Sequence, residues 1–211
     1  MLRITEIFYS LQGESNTVGL PTVFIRLTGC PLRCTYCDTA YAFTGGEKIA
    51  IDTIIAQVEQ FGTFYVTVTG GEPLAQRDCY RLLTKLADKG FYVSLETSGA
   101  LDISEVDQRV VKVMDLKTPG SGELSKNLYQ NLDYLDSKDQ VKFVIGNDED
   151  YEWSKETLIR YDLPKRCEVL FSPVMGQQNP GELADKILRD RLPVRFQLQL
   201  HKLLWDDARG K

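Results

Sequence analysis

The sequence predicts an α/β fold: a partial, open (β/α) barrel on a mostly parallel sheet. Three observations predict it. Strand-like runs alternate with helix-like segments from Val23 to Leu198, the pattern of successive βαβ units. About six units follow one another, too few for a closed eight-fold barrel, and right-handed crossovers curl such a sheet in one direction. Polar and glycine-rich clusters stand directly after the strands, where these architectures place their chemistry.

The elements follow in order. Val23–Leu27 is β-branched and aromatic and leads into a cysteine cluster. Ile51 to Phe61 carries Ile51, Ile54, Ile55 and Val58, the spacing of a helix with one buried face. Phe64–Val68 is a strand that stops at Gly70-Gly71, and Asp78 to Lys89 is an amphipathic helix stopped by Gly90. Strands Phe91–Leu95, Val110–Met114 and Val141–Ile145 come next, then a helix from Glu149 to Tyr161 and a strand at Val169–Phe171. Pro180–Arg189 is a helix with proline in its first turn, and Val194–Leu198 is a last strand. Cys30 thus follows the first long strand, Thr69–Pro73 the second, Glu96–Gly99 the third and Asp115–Pro119 the fourth. Parallel strands end at one mouth, so these four clusters converge there. That convergence predicts an enzyme.

The chain has 211 residues, which suits one domain spanning 1–211. Hydrophobic residues make up 43% and charged residues 26%, enough for a packed core. The formal net charge is -5, which argues against a partner bound through its phosphates and so against nucleic acid. No apolar run is long enough to span a bilayer, and the N-terminus carries Glu6 where a signal peptide would be apolar. The expected location is the cytoplasm, with no membrane partner. Of 5 cysteines, Cys30, Cys34 and Cys37 lie in one C-x3-C-x2-C run, unlike the even, dispersed set of a secreted disulfide scaffold.

Clustered thiolates hold metal, and two readings stand. A cubane cluster takes one protein thiolate per iron, so three cysteines leave one iron open to another ligand. The alternative is structural zinc, with His201, the single histidine, as fourth ligand. Cys79, inside a helix, and Cys167, at the start of a strand, read as small buried hydrophobes.

The C-x3-C-x2-C loop, with Tyr36 before its last cysteine, and Thr69-Gly70-Gly71-Glu72-Pro73 one strand later resemble the radical S-adenosylmethionine (SAM) superfamily. Ser10-Leu11-Gln12-Gly13-Glu14, Gly19-Leu20-Pro21, Phe24-Ile25-Arg26-Leu27, Cys37-Asp38-Thr39, Glu96-Thr97-Ser98-Gly99 and His201-Lys202-Leu203-Leu204-Trp205 resemble, within it, the 7-carboxy-7-deazaguanine synthases of queuosine biosynthesis. The resemblance is least specific between Tyr129 and Arg166. It implies a radical SAM fold and a carbon–nitrogen lyase. The implied reaction contracts 6-carboxy-5,6,7,8-tetrahydropterin to 7-carboxy-7-deazaguanine with loss of ammonia. It also implies a [4Fe-4S] cluster, SAM and Mg2+ as cofactors, a flavodoxin or ferredoxin as electron donor, and a homodimer.

For the residues, the resemblance implies that Cys30, Cys34 and Cys37 ligate the cluster and that Thr39 ligates magnesium. Tyr36, Cys37, Asp38, Gly70, Gly71, Glu72, Ser98, Lys117 and Thr118 would contact the cofactor, the glycines by letting the backbone come close to it. Leu11, Gln12, Gly13, Glu14, Arg26, Thr69, His201 and Lys211 would contact substrate. The Gln12 amide would read the pterin edge, Glu14 would accept from its amino group, and the Arg26 guanidinium would fork onto its carboxylate. Glu96 would handle a proton. Ser15 stands where the family pattern leads one to expect glycine, and the charged Lys211 is unusual for a tail that folds onto substrate. A radical SAM activase acting on a partner protein would share the cysteines, Gly70-Gly71-Glu72 and Lys117, but would not need Leu11 to Glu14.

Overall fold

The computed structural model describes residues 1–206 and 208–211. Among them, nine strands form one sheet in the order β3-β1-β2-β4-β5-β6-β7-β8-β9. The strands are β1 (Leu2–Leu11), β2 (Pro21–Leu27), β3 (Glu47–Ile49), β4 (Tyr65–Gly70), β5 (Tyr92–Thr97), β6 (Val111–Asp115), β7 (Gln140–Ile145), β8 (Glu168–Pro173) and β9 (Arg195–Phe196). From β2 to β9 every pairing is parallel, whereas β1 runs antiparallel to both β2 and β3. The sheet is not closed on itself, so the open α/β architecture expected from the alternation is the one observed.

Helices α1 (Ile51–Glu59), α2 (Cys79–Asp88), α3 (Asp148–Arg160) and α4 (Pro180–Arg189) cover the outer face. Helices α1, α2 and α4 turn an apolar stripe inward, α2 burying Cys79, Leu82, Leu83 and Leu86, while α3 buries Tyr151 and Leu158 beside Asp150, Ser154 and Thr157. Burying such a leucine contributes about 1.5–3 kcal/mol, so these stripes fix the sheet's outer side. Asn147 caps α3 by accepting from the Asp150 amide at 2.9 Å, and Asn179 caps α4 ahead of Pro180. Cys79 and Cys167 are both buried, as their reading as small hydrophobes requires. No helix among the described residues is long and apolar enough to cross a membrane.

Three features differ from the expected element order. β1 was not foreseen, so the cysteines follow the second strand. A bulge between Ile4 and Glu6 shifts its register and breaks the alternation that would have marked it. The last strand shrinks to Arg195–Phe196, and a short helix α5 (Leu200–Trp205) follows it. The short strand β3 was likewise not expected.

Side-chain alternation separates two surfaces. In β7, Val141, Phe143 and Ile145 are buried under the helices, whereas Lys142 and Val144 face the interior cavity. The interior face is polar: Thr67 and Ser94 share a hydrogen bond at 2.8 Å, and Arg26 stands in register with Thr69. The strand ends therefore carry charged and hydroxylic groups into one mouth.

Candidate active site

The cysteine loop leaves β2 and is tied down at both ends. The Gly29 amide donates to the Ala42 carbonyl at 2.8 Å, and the Thr35 amide donates to the Ser121 carbonyl at 3.0 Å. The Arg33 guanidinium donates to the Cys30 and Leu32 carbonyls and stacks 4.2 Å from the centre of the Phe43 ring. Cys30, Cys34 and Cys37 are free thiols that line one cavity of about 280 Å³. Burial pushes the Cys30 and Cys34 thiols above their ordinary value.

The same cavity is walled by Tyr36, Asp38, Gly70, Gly71, Ser98, Asp115 and Lys117. Gly71 is there because nothing larger fits: a Cβ on it would lie 2.4 Å from the Gly29 carbonyl oxygen and 2.6 Å from the Cys30 Cβ. The glycine pair therefore brings β4 against the cysteine loop as well as exposing backbone to the cavity. Lys117 pairs with Asp115 at 2.8 Å, while the other Asp115 oxygen is buried and has no hydrogen-bond partner. The Tyr36 hydroxyl lies beside Thr118 without completing a hydrogen bond, and burial pushes its phenol upward.

These features fit a cluster with SAM beside it. Three thiols on one pinned loop face a chamber whose wall offers an orphaned carboxylate oxygen to a donor. Among the described residues no three His, Cys, Asp or Glu side chains stand close enough to share one ion, whereas a cubane seats each thiolate on a separate iron. The zinc alternative also loses its fourth ligand. His201 packs on Gly13, where a Cβ would lie 2.1 Å from its Nδ1, and it lines a different cavity.

That second cavity, about 180 Å³, is lined by Leu11, Gln12, Gly13, Glu14, Arg26, Thr69, His201 and Lys211, all the residues implied as substrate contacts. The chambers adjoin and share Asp38, Thr39, Thr69, Gly70, Glu96 and Lys142 in their walls. Arg26 is held through its Nε by Glu6 Oε1 at 2.7 Å, and the Tyr41 hydroxyl donates to that same oxygen at 2.7 Å. Among the described residues the Arg26 terminal nitrogens make no hydrogen bond, which leaves the fork available for a carboxylate. Phe8 lies under its guanidinium at 5.6 Å.

Glu14 Oε2 is 2.6 Å from the Lys142 ammonium, and its Oε1 accepts from Gln199 at 2.6 Å. Burial alone would push the Glu14 carboxyl up, but Lys142 and Gln199 outweigh it and hold it below its ordinary value. Glu96 behaves oppositely: burial first, and the Glu14 charge second, push its carboxyl up against the pull of Lys142 and the Thr69 hydroxyl. Asp38 is desolvated, yet the Thr39 hydroxyl and the Lys202 ammonium bring it down to about 2. The Thr39 hydroxyl donates to Asp38 Oδ1 at 2.7 Å.

Three of the residues implied as contacts make their hydrogen bonds within the protein in this structure. Glu72 is 0% exposed and does not line the cavity. It accepts from the Leu74 amide, the Thr97 hydroxyl, and the amide and hydroxyl of Ser98 at 2.6–3.0 Å, so it fixes Ser98 from behind. Thr118 is likewise absent from the wall, because its hydroxyl donates to the Val144 carbonyl at 3.1 Å. The Gln12 amide lines the second chamber and is also engaged internally, donating to Thr67 and Glu96 and accepting from the Glu14 amide, and so holds Glu96. Ser15 adopts φ +67°, the left-handed region that favours glycine, which accounts for the glycine expected there. Its amide donates to Gln197 Oε1 at 2.7 Å, so the loop is held.

Lys142, Gln199 and Lys202 were missed. A lysine at an inward position of the otherwise apolar run Val141–Ile145 was the available signal for the first. The other two are brought in by the chain after β9; Gln199 carried no local sign, and Lys202 stood in the His201–Trp205 motif with no role attached to it.

The Radical SAM superfamily profile matches residues 24–185. Among curated proteins, the 7-carboxy-7-deazaguanine synthase of Chlorobaculum tepidum is 45% identical over 99% of this chain and 97% of its own length. That of Koribacter versatilis is 41% identical, over 97% of each. The crystal structure of QueE from Escherichia coli superposes with a TM-score of 0.77 at 24% identity, covering 95% of this chain and 94% of that one, a likeness of fold. Streptococcus suis SuiB, bound to its precursor peptide SuiA, shares the fold at a TM-score of 0.61 and 16% identity, over 81% of this chain and 46% of its own. The chain belongs to the radical SAM superfamily and, within it, to the 7-carboxy-7-deazaguanine synthase family.

Proposed function

We propose that the chain, as one domain spanning 1–211, contracts 6-carboxy-5,6,7,8-tetrahydropterin to 7-carboxy-7-deazaguanine and releases ammonia. The observation that carries this reading is the pair of adjoining chambers. All residues implied as substrate contacts line one, the three cysteines line the other, and Glu96, Thr69 and Thr39 stand in the wall between.

Cys30, Cys34 and Cys37 would hold a [4Fe-4S] cluster, with SAM beside it against Gly70, Gly71, Ser98 and Asp115. Bound there, the cluster and SAM supply one-electron cleavage and a hydrogen-abstracting radical. The chain's own residues orient the substrate. Arg26 clamps its carboxylate, Glu14 accepts from its amino group, and His201 and the Lys211 end close the far side. Gln12 and Thr69 hold Glu96, whose carboxyl burial pushes upward and which would pass a proton to the departing amino nitrogen. Thr39 and Asp38 offer hard oxygen to Mg2+ shared with substrate. A flavodoxin or ferredoxin as electron donor, a homodimer and a cytoplasmic site complete the reading.

The test is anaerobic incubation of iron-loaded protein with SAM, reductant, Mg2+ and the carboxy-tetrahydropterin, followed by mass analysis. Formation of the deazaguanine with ammonia and 5′-deoxyadenosine is expected. Intact pterin alongside SAM cleavage would overturn the assignment of substrate.

A further inference from the structure

Lys142 belongs to both chambers at once. Its strand places it inward between two apolar neighbours, and among the described residues it faces the carboxylates of Glu14, Asp115 and Glu96. Its ammonium is 2.6 Å from Glu14 Oε2 and 4.0 Å from Asp115 Oδ2, and Asp115 is its cross-strand register partner. Asp115 also holds Lys117 at 2.8 Å, so a continuous chain of charge runs Lys117–Asp115–Lys142–Glu14 from the cofactor chamber into the substrate chamber. The Lys142 side chain is 14% exposed, which leaves little water to dilute these interactions.

The two distances are unequal, and that inequality matters. Lys142 completes a contact with Glu14 and stops short of Asp115, whose second oxygen is buried without a partner. A donor that engages Glu14 competes for the same carboxylate and releases the ammonium toward Asp115. Closing that gap would hold Asp115 from the Lys142 side as well as the Lys117 side and turn the orphaned oxygen to whatever occupies the cofactor chamber.

We propose that Lys142 is a positioning residue that couples the two chambers, so that substrate on Glu14 strengthens SAM binding through Asp115 and SAM strengthens substrate binding in return. This rests on the reading of the second chamber as the pterin site. Reciprocity is required, because coupling between two binding equilibria is the same free energy read from either side. No chemical step is needed, so the coupling is measurable in the iron-loaded, unreduced enzyme without turnover.

The experiment is isothermal titration of SAM into that enzyme with and without saturating 6-carboxy-5,6,7,8-tetrahydropterin, repeated for Lys142→Met and Lys142→Arg. In the parent the pterin is expected to tighten SAM binding about fivefold or more, the usual range for coupled sites. K142M is expected to abolish that factor. K142R, whose longer charged fork reaches both carboxylates, is expected to restore part of it. A parent factor of one, or a K142M factor equal to the parent's, overturns the proposal. Should K142M fail to load iron, Lys142→Gln, a donor without charge, takes its place with the same expected loss. A parent that binds no pterin at all overturns the substrate assignment instead, so the two failures are told apart. In turnover, K142M is expected to form 5′-deoxyadenosine in excess of product; a parent-like ratio counts against the coupling.

Discussion

Gly71 sits against Cys30 so closely that a Cβ on the glycine would stand 2.6 Å from the cysteine's own Cβ. The neighbour is the Gly29 backbone and the root of the Cys30 side chain, and neither can swing aside. Gly71→Ala is therefore expected to displace the cysteine loop at a cost of about 1–3 kcal/mol, the usual range for an overpacked core site. Iron content after anaerobic reconstitution should fall while the helical circular dichroism signal stays. A variant that loads iron like the parent would show that the loop yields more easily than this contact implies.

Cys34 makes no side-chain hydrogen bond among the described residues and lies on a loop held by other groups. Cys34→Ala is expected to leave the fold and its unfolding midpoint largely intact and to abolish SAM cleavage. Persistent 5′-deoxyadenosine production would remove Cys34 from the ligand set.

Glu72 carries four donors on one buried carboxylate, the amides of Leu74 and Ser98 and the hydroxyls of Thr97 and Ser98. Removing it strands those donors, at about 1–3 kcal/mol for each buried group left unpaired. Glu72→Ala should lower the urea midpoint sharply, and Glu72→Gln should lower it less. Because Ser98 loses its anchor, SAM affinity should fall in both. Equal midpoints for parent and E72A would contradict the role.

Glu96 supplies a pH dependence. Its folded value lies above the ordinary 4.5 because it is buried and faces Glu14, with Lys142 and Arg26 pulling the other way. A proton donor of this kind is active while protonated, so kcat should fall as pH rises through the raised value. Glu96→Gln should be slow and lack that limb. The stability effect has the same sign: the folded state binds this proton more tightly than the unfolded one, so its contribution is full below the ordinary value and lost as pH rises through the folded value. An alkaline limb unchanged in E96Q would assign it to another group.

Thr39 donates to Asp38, which Lys202 also pins at 3.2 Å. Thr39→Ala is expected to raise the Mg2+ concentration needed for half-maximal rate and to leave SAM affinity near the parent's. Superimposable magnesium titrations would exclude Thr39 as a metal contact.

Much of this site was legible because parallel strands deliver their ends to one place. Cys30, Gly71, Ser98 and Lys117 are far apart in sequence yet each follows a strand that the alternation marks, so their convergence follows from topology. Glu96 and Lys142 could both be read as polar residues at inward positions of apolar strands; Lys142 was passed over because its segment matched no motif. Strand β1 was hidden by its bulge at Thr5, which spoils the period of two. Gln199 had no local signal at all and Lys202 stood in the His201–Trp205 motif without a role, since only the path of the chain after β9 brings them to Glu14 and Asp38. Glu72 shows a further limit: the motif marks the residue, but whether its carboxylate meets a ligand or Ser98 depends on which way the turn faces.

The carbonyl of Gly13 accepts the Leu200 amide at 2.9 Å, and the His201 ring rests on that glycine. The second chamber is thus closed by a bond between two segments far apart in the sequence. During synthesis the cysteine loop and its glycine and serine supports emerge well before Leu200, so this seal forms after them. A nascent chain would gather its three clustered thiols before its second chamber has a wall to close it.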